Sequence, residues 1–355
     1  MKLSLLDRSR TRAGEDDGAA LRNSVGRPVR AESLGFHRFW VAEHHGVPGV
    51  ASGAPAVLLG AIGQATEHMR VGSGGVMLPH HQPLVVAEQF LMLAGLFPGR
   101  IDLGLGRSPG FTRPVREALR AAWTDAPVAE APRGSAPVGT SGRTTDRRAD
   151  ASARDDRFAA DLAEVRDLLT GTGTVTARPQ VASAQVPGMF VLATGKGMTV
   201  AAELGLPVVI GGPLVQDPEL ESLVRMYRRN FRPAGVGVSR PQVIVSADVF
   251  IAGSRAEARD LALPEAWAMA RSRETGEFGP LESPTAIHEQ VWSARTRERV
   301  EKALASPLIG TADTVVPEVE RILAAAGSEE LLLSTSTFDL AALEALDQVV
   351  AATFG

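Results

Sequence analysis

No cysteine occurs in the chain. That absence removes disulfides, thiolate zinc sites, iron–sulfur clusters and a thiol nucleophile together. No apolar run reaches 18 residues, and the one in MKLSLLDRSR is too short for a signal-peptide core. A cytoplasmic chain without a membrane span is therefore expected. An excess of positive charge is missing too: 37 Lys+Arg against 41 Asp+Glu leave a net −4, which invites neither nucleic acid nor anionic lipid. Lysine is nearly absent, occurring only as Lys2, Lys196 and Lys302. The arginine bias, with abundant Ala and Gly, points to a GC-rich genome and carries no chemistry of its own.

What is present is ordinary for a globular chain of 355 residues, 44% hydrophobic and 22% charged. Short apolar runs alternate with longer amphipathic ones. Leu3–Leu6, Arg38–Ala42, Met69–Leu78, Ile101–Leu105, Met189–Ala193, Pro207–Ile210, Val243–Ile251 and Leu331–Thr335 read as eight strands. Between them, Ala54–Thr66, Pro83–Phe97, Arg157–Leu169, Met198–Leu204, Pro218–Phe231, Arg255–Ala270, Ala312–Ala326 and Asp339–Phe354 read as helices. Strict alternation implies a parallel sheet, because parallel neighbours need long crossovers. Eight such units predict an α/β fold, a (β/α)8 TIM barrel with insertions at its C-terminal face, as one domain over 1–355. Two stretches break the rhythm. Thr124–Arg157 has Val128 and Val138 as its only large aliphatic residues and reads as a mobile insertion. Leu263–Pro307, with Trp267 and Trp292, reads as helices folded over the barrel mouth, a lid segment.

In a barrel, chemistry sits at the C-terminal ends of strands, and four clusters fall there. Trp40-Val41-Ala42-Glu43-His44-His45 puts three ionisable groups after an apolar run; a histidine with a neighbouring carboxylate suits a general base. Those groups could equally hydrogen-bond the rim. Val71–His81 carries Gly72, Gly74 and Gly75, which allow close backbone approach to a flat ligand or simply a bulge and turn. Ile101–Gly110 contains a GxG but lacks the rest of a dinucleotide fingerprint, and its Arg107 is placed to hold an anion or to face solvent. Thr194-Gly195-Lys196-Gly197 opens a helix and offers either a phosphate seat or an ordinary cap; it lacks the spacing of a Walker loop. The pairs His44/His45 and His80/His81 raise a metal reading, in which each pair supplies at most one inward ligand and no carboxylate cluster completes the set. No metal is assigned.

FHRFWVAEHH, VGSGGVMLPHHQPLVVAEQF, FPGRIDLGLGRSPG and AAELGLPVVI together resemble the bacterial luciferase-like flavin-dependent monooxygenases, in particular single-chain natural-product oxygenases. The resemblance covers most of 1–123 and, more loosely, 156–250 and 310–350. It implies a TIM barrel that takes reduced FMN, with the deazaflavin F420 as the alternative, and oxygenates an organic substrate with O2 through a C4a-peroxyflavin. It also implies a homodimer joined through early helices. His44 then matches the catalytic base and Glu43 its adjacent acid. Gly74 and Gly75 match a cis peptide beneath the flavin ring, and Arg107 an arginine on the phosphate. Thr194 falls at a phosphate-binding serine and Gly197 where a hydroxyl is usual, so Gly195 and Lys196 would have to compensate. Trp40 and His45 are candidate substrate contacts, for a medium-sized apolar or aromatic compound of secondary metabolism. No nicotinamide fingerprint is present, so a separate flavin reductase is expected. A hydride-transferring F420 enzyme and a metal-dependent hydrolase on the same barrel are the alternatives.

Overall fold

Each of the eight apolar runs becomes a strand of one closed sheet. In this computed structural model, which describes residues 1–108, 112–119, 143–193, 195–233 and 238–355, the strands are β1 (Lys2–Asp7), β2 (Arg38–Val41), β3 (Arg70–Met77), β4 (Ile101–Gly106), β5 (Gly188–Ala193), β6 (Val208–Ile210), β7 (Val243–Ala247), β8 (Val249–Ile251), β9 (Leu308–Gly310) and β10 (Glu330–Leu333). All but β8 and β9 pair in parallel around a closed eight-stranded barrel, β10 returning to β1. The run expected as one strand over Val243–Ile251 breaks at Asp248, and β8 leaves the barrel to pair with β9. Asp248 is held there by the Ser334 hydroxyl and its carbonyl accepts the Leu308 amide.

The helices are α1 (Asp17–Ser33), α2 (Pro55–Ala65), α3 (Pro83–Leu96), α4 (Arg113–Ala118), α5 (Arg143–Thr170), α6 (Gly195–Leu204), α7 (Leu220–Asn230), α8 (Arg255–Thr275), α9 (Pro284–His288), α10 (Ala294–Leu304), α11 (Ala312–Ala326) and α12 (Leu340–Phe354). Outward strand residues such as Phe39, Val71, Leu103 and Val191 pack against Leu59, Phe90 and Leu162 of the helices, and this apolar layer is the main core. α1 has no counterpart in the helices read from sequence: Gly18, Gly26 and Pro28 interrupt it, and its buried face is Ala20, Ser24, Arg27, Pro28 and Ala31. Of the segment expected as a mobile insertion, 124–142 lies outside the described residues and 143–157 belongs to α5.

Inward residues fill the barrel in layers. At the floor, Arg38 spans Glu330 (2.6 Å) and Asp102 (2.6 Å), Arg70 meets Asp102 from the other side (2.5 Å), and Ser4 donates to Glu330 (2.7 Å). Two cations face two carboxylates, so no net charge is enclosed. Above them Trp40, Phe190, Val209, Ile244 and Leu332 form an apolar plug with Leu6 and Leu192. The plug needs the glycines of β3: a Cβ on Gly72 would stand 2.9 Å from Trp40 Nε1, and one on Gly74 3.1 Å from Trp40 Cε3. The top of the plug is the floor of the mouth.

Candidate active site

The mouth is built from the first residues beyond the strands. On β1 the inward row Ser4, Leu6 continues to Arg8, and on β2 the row Arg38, Trp40, Ala42 continues to His44. The Ala42 amide donates to Asp7 (2.9 Å), so the two rows stay side by side past the last strand pairs. Ser52 clasps the bend, its hydroxyl on Ala42 O (2.6 Å) and its carbonyl on the His44 amide (2.9 Å).

Glu43 turns away from His44. Its buried carboxylate accepts from His45 Nε2 (2.6 Å), His81 Nε2 (2.7 Å) and the Met77 amide (3.0 Å). Burial opposes its charge, but the two imidazoles and the amide outweigh it and hold its pKa at about 2. The expected pairing of Glu43 with His44 is thus corrected: side chains of consecutive residues diverge, and the carboxylate ties the β2 end to the turn after β3. Glu43→Gln is expected to destabilise the protein by about 2–4 kcal/mol, because one amide oxygen cannot serve three donors. Urea unfolding checks this; a midpoint equal to the parent's would show the donors find other acceptors.

The ligand atoms of Glu43, His45 and His81 lie within 4.8 Å of one another, the arrangement of a possible metal centre. One histidine comes from each pair, as read from sequence, and Glu43 is the carboxylate that reading lacked. The 2.6 and 2.7 Å separations are hydrogen-bond lengths; ligands bound at about 2.1 Å to one tetrahedral ion stand about 3.4 Å apart. In this arrangement one carboxylate oxygen accepts from both imidazoles.

His44 stands apart. Its Nδ1 is shut from solvent without a hydrogen-bond partner. Desolvation first, then the positive charges of Arg8 and Arg10, push its pKa down to about 4, so it is a neutral base at pH 7. Both arginines are held by Glu265 of α8, through Arg8 Nη1 (2.8 Å) and Arg10 Nε (2.9 Å). Arg8 also reaches Ser334 O (3.0 Å), while its Nε is buried and unpartnered. Arg10 lies 4.1 Å over the Phe278 ring. Neither arginine nor Glu265 was singled out from sequence, because their partners lie some 255 positions apart.

The expected flavin contacts fall on neighbouring strand ends. The Gly74–Gly75 peptide is cis, and β3 slips register by one residue against β4 there. A Cβ on Gly75 would meet Gly104 O at 2.7 Å, so backbone packs against backbone. Beyond this close contact, Gly106 has only Val76 O near its Cβ position (3.9 Å), and Gly195 has nothing within 4 Å. Arg107, half-buried, follows β4; Gly195, Lys196 and Gly197 open α6 directly after β5, the strand beside it. This open glycine backbone between a guanidinium and a helix start fits a flavin phosphate chain. Thr194 lies outside the described residues.

Two expectations fail. Trp40 is fully buried beneath Gly74, packed edge-to-face on Phe190 (5.1 Å) and bonded to Asp102, so no substrate touches it. The tryptophans of the 263–307 segment do not line the mouth either: Trp267 and Trp292 stack on each other at 5.2 Å and bond Glu282 and Ile287 within the segment. His45, by contrast, keeps a partly exposed ring, set edge-on to His80 at 6.3 Å. The segment itself lies over the loops after β1 and β2, with Phe278 O on the Gly49 amide (2.8 Å) and the Leu281 amide on Thr11 O (2.9 Å).

Comparison with known proteins bears on the family and the fold. A family model described as luciferase-like monooxygenase matches residues 1–131 and 133–331. The luciferase-like monooxygenase of Escherichia coli (strain K12) is 32% identical over 340 residues, covering 95% of this chain and 92% of the relative. The N-acetyl-S-alkylcysteine monooxygenase of Bacillus subtilis (strain 168) is 46% identical over 123 residues, 35% of this chain and 37% of the relative. The crystal structure of apo-MsnO8 has a TM-score of 0.78 at 27% identity, covering 99% of this chain and 98% of its own. Two more distant structures share the fold. One is the oxygenating constituent of 3,6-diketocamphane monooxygenase from Pseudomonas putida in complex with FMN, TM-score 0.64 at 17% identity over 99% of this chain and 97% of its own. The other is the coenzyme F420 dependent tetrahydromethanopterin reductase of Methanopyrus kandleri, TM-score 0.64 at 14% identity over 99% and 98%. Among the described residues no helix is long and apolar enough to cross a membrane.

Proposed function

The chain belongs to the luciferase-like monooxygenase family, and from this premise we propose that it uses reduced FMN and O2 to oxygenate a medium-sized organic substrate with an apolar or aromatic body. The observation that carries the reading is the row of strand ends in which the packed cis Gly74–Gly75 peptide leads to open backbone at Gly106 and Gly195, with neutral His44 on the β2 side and Arg107 between those two glycines. Bound there, reduced flavin supplies the electrons that activate O2. The chain does the rest. Arg107 and the amides of Gly195–Gly197 hold the phosphate, with Lys196 beside them, and the sequence alone adds the Thr194 hydroxyl. His44 takes or returns a proton at Nδ1, its neutral state secured by burial and the neighbouring arginines. The 263–307 segment serves as a lid that keeps water out. His45 faces the substrate.

Reconstitution tests the cofactor. Purified protein is expected to bind FMN stoichiometrically, with its visible band at about 450 nm, and not F420, whose band lies at about 420 nm. Preference for F420 would turn the reading to hydride transfer. NADH oxidation by the protein alone would remove the separate reductase.

We also infer a homodimer. Val57 (77% exposed), Leu96 (66%) and Met92 (56%), with Val29 and Val85, leave large apolar side chains exposed on each of α1, α2 and α3. Sedimentation is expected to give twice the mass of the chain, and Val57→Asp to reduce it to one; a monomeric parent would refute the pairing.

A further inference from the structure

We propose that Arg8 is the residue that selects the substrate, by donating its Nε–H to a carbonyl or carboxylate oxygen beside His44. This deepens the monooxygenase reading and rests on it. The argument starts from position. Ser4 bonds Glu330 inside the barrel and Leu6 packs on the interior plug, so the period of two sets Arg8 on the same inward row, one layer higher. Leu6 Cδ1 lies 2.6 Å from where a Cβ on Gly74 would sit. Arg8 therefore overlooks the Gly74–Gly75 floor from the β1 side.

Its remaining hydrogen bonds lock the guanidinium in place. Nη1 is on Glu265 of α8 and Nη2 on Ser334 O beyond β10, both fixed by distant parts of the chain. Only Nε is left without a partner, and it is closed to solvent. A buried N–H without an acceptor is costly, and an arginine so braced cannot turn to find one. On the next strand end, His44 Nδ1 is buried and unpartnered in the same way. Among charged groups, Arg8 acts on His44 most strongly. One obligate donor and one imidazole nitrogen thus lie buried and unpartnered on adjacent strand ends.

The nearby charges define what can enter. Glu265 serves two guanidiniums at once, Arg8 and Arg10. Asp248 stays 3.9 Å from Arg8 Nη2 and is occupied by the Ser334 hydroxyl; Asp7 is engaged by Ser9, Ser24 and Arg27. None of these carboxylates bonds Nε, which leaves that N–H for a ligand's oxygen. An acyl oxygen satisfies it; a hydrocarbon entering the same space leaves the donor buried and unpaired, which is how a polar site rejects a close analogue.

Benzoate, acetophenone and toluene test this, being similar in size and differing in the oxygen. Binding to the FMN-loaded protein is measured by calorimetry, and FMN affinity is measured in the same preparations. Benzoate or acetophenone is expected to bind at least about tenfold more tightly than toluene, benzoate ahead if a carboxylate is the natural group and acetophenone if a ketone is. Arg8→Leu is expected to bring both down to toluene, with FMN affinity unchanged. Arg8→Lys, which keeps the charge but not the fixed Nε–H, is expected to lose the acetophenone preference and to guard against misreading an unstable variant. Equal binding of all three compounds, no binding by either oxygenated one, or an unchanged order in Arg8→Leu would overturn the assignment. Failure of the parent to bind FMN would instead overturn the monooxygenase reading.

Discussion

Between pH 7 and pH 4 the folded protein is expected to lose about 2–3 kcal/mol of stability through His44 alone. The ordinary value of 6.5 is lowered to about 4 in the fold, by desolvation first and by Arg8 and Arg10 next. As pH falls below 6.5 the unfolded chain takes up a proton that the folded one refuses, so stability drops until both are protonated near pH 4. Glu43 adds a second, lower window. Its carboxyl, 4.5 ordinarily and about 2 when folded, contributes stability that is complete above pH 4.5 and lost as pH falls towards 2. His44→Asn is expected to reduce the slope of the urea-midpoint curve between pH 6.5 and 4, where His37 and His80, also lowered by burial, supply the remainder, while leaving the lower slope in place. Parallel curves for parent and variant would show that His44 titrates normally and is not held neutral. The same depression keeps the imidazole ready to accept a proton at pH 7, which a general base at this site requires.

That property could not be read from EHH alone. Sequence adjacency suggested that Glu43 would set the tautomer of His44. The carboxylate instead serves His45, two positions on, and His81, across the next strand end. What lowers His44 is burial together with arginines that Glu265 anchors from α8, a long-range arrangement with no local pattern. Trp40 shows a similar limit. Every residue of β2 is buried, so the run RFWV gives no alternation to tell the inner face from the outer, and a side chain expected at the rim turned out to be the barrel's plug.

The barrel itself was legible because strands buried on both faces are continuous apolar runs cut off by Gly, Pro or charge. All eight appear, and so does each of the eight helices read from sequence, whereas α9 and α10 were left undivided within the 263–307 segment. α1 escaped because its buried face is small or polar: Ser24 bonds Ala20 O and Asp7, and Arg27 grips Asp347 with two hydrogen bonds of 2.8 and 2.7 Å. The break at Asp248, which sends β8 out of the barrel, and its partner β9 escaped because the run Val243–Ile251 resumes as apolar residues directly after the break and β9 is three residues that follow a proline and end in a glycine. Glycines were the better guide. Gly74–Gly75 and the GxG of Gly104 and Gly106 were noticed as sequence oddities, and they lie where strands, plug and expected cofactor crowd together.

Arg107→Gln is expected to weaken FMN about 10- to 100-fold and to leave riboflavin unchanged. The reasoning is a difference between two ligands that share a ring system and differ in the phosphate. A charge-assisted hydrogen bond from a guanidinium to a phosphate contributes about 1.5–3 kcal/mol, and each 1.4 kcal/mol is about a factor of ten in affinity. Glutamine keeps a donor but neither the charge nor the fork, so the loss falls on FMN only. Gly197 offers no hydroxyl to share the load, and Lys196 is an exposed point charge at the first turn of α6, so little else can take over. Quenching of flavin fluorescence gives both dissociation constants on the same preparation. If the variant weakens FMN and riboflavin equally, Arg107 contacts the ring or supports the fold. If it weakens neither, the phosphate is held elsewhere, and the path drawn from Gly75 to Gly195 is not where the cofactor lies.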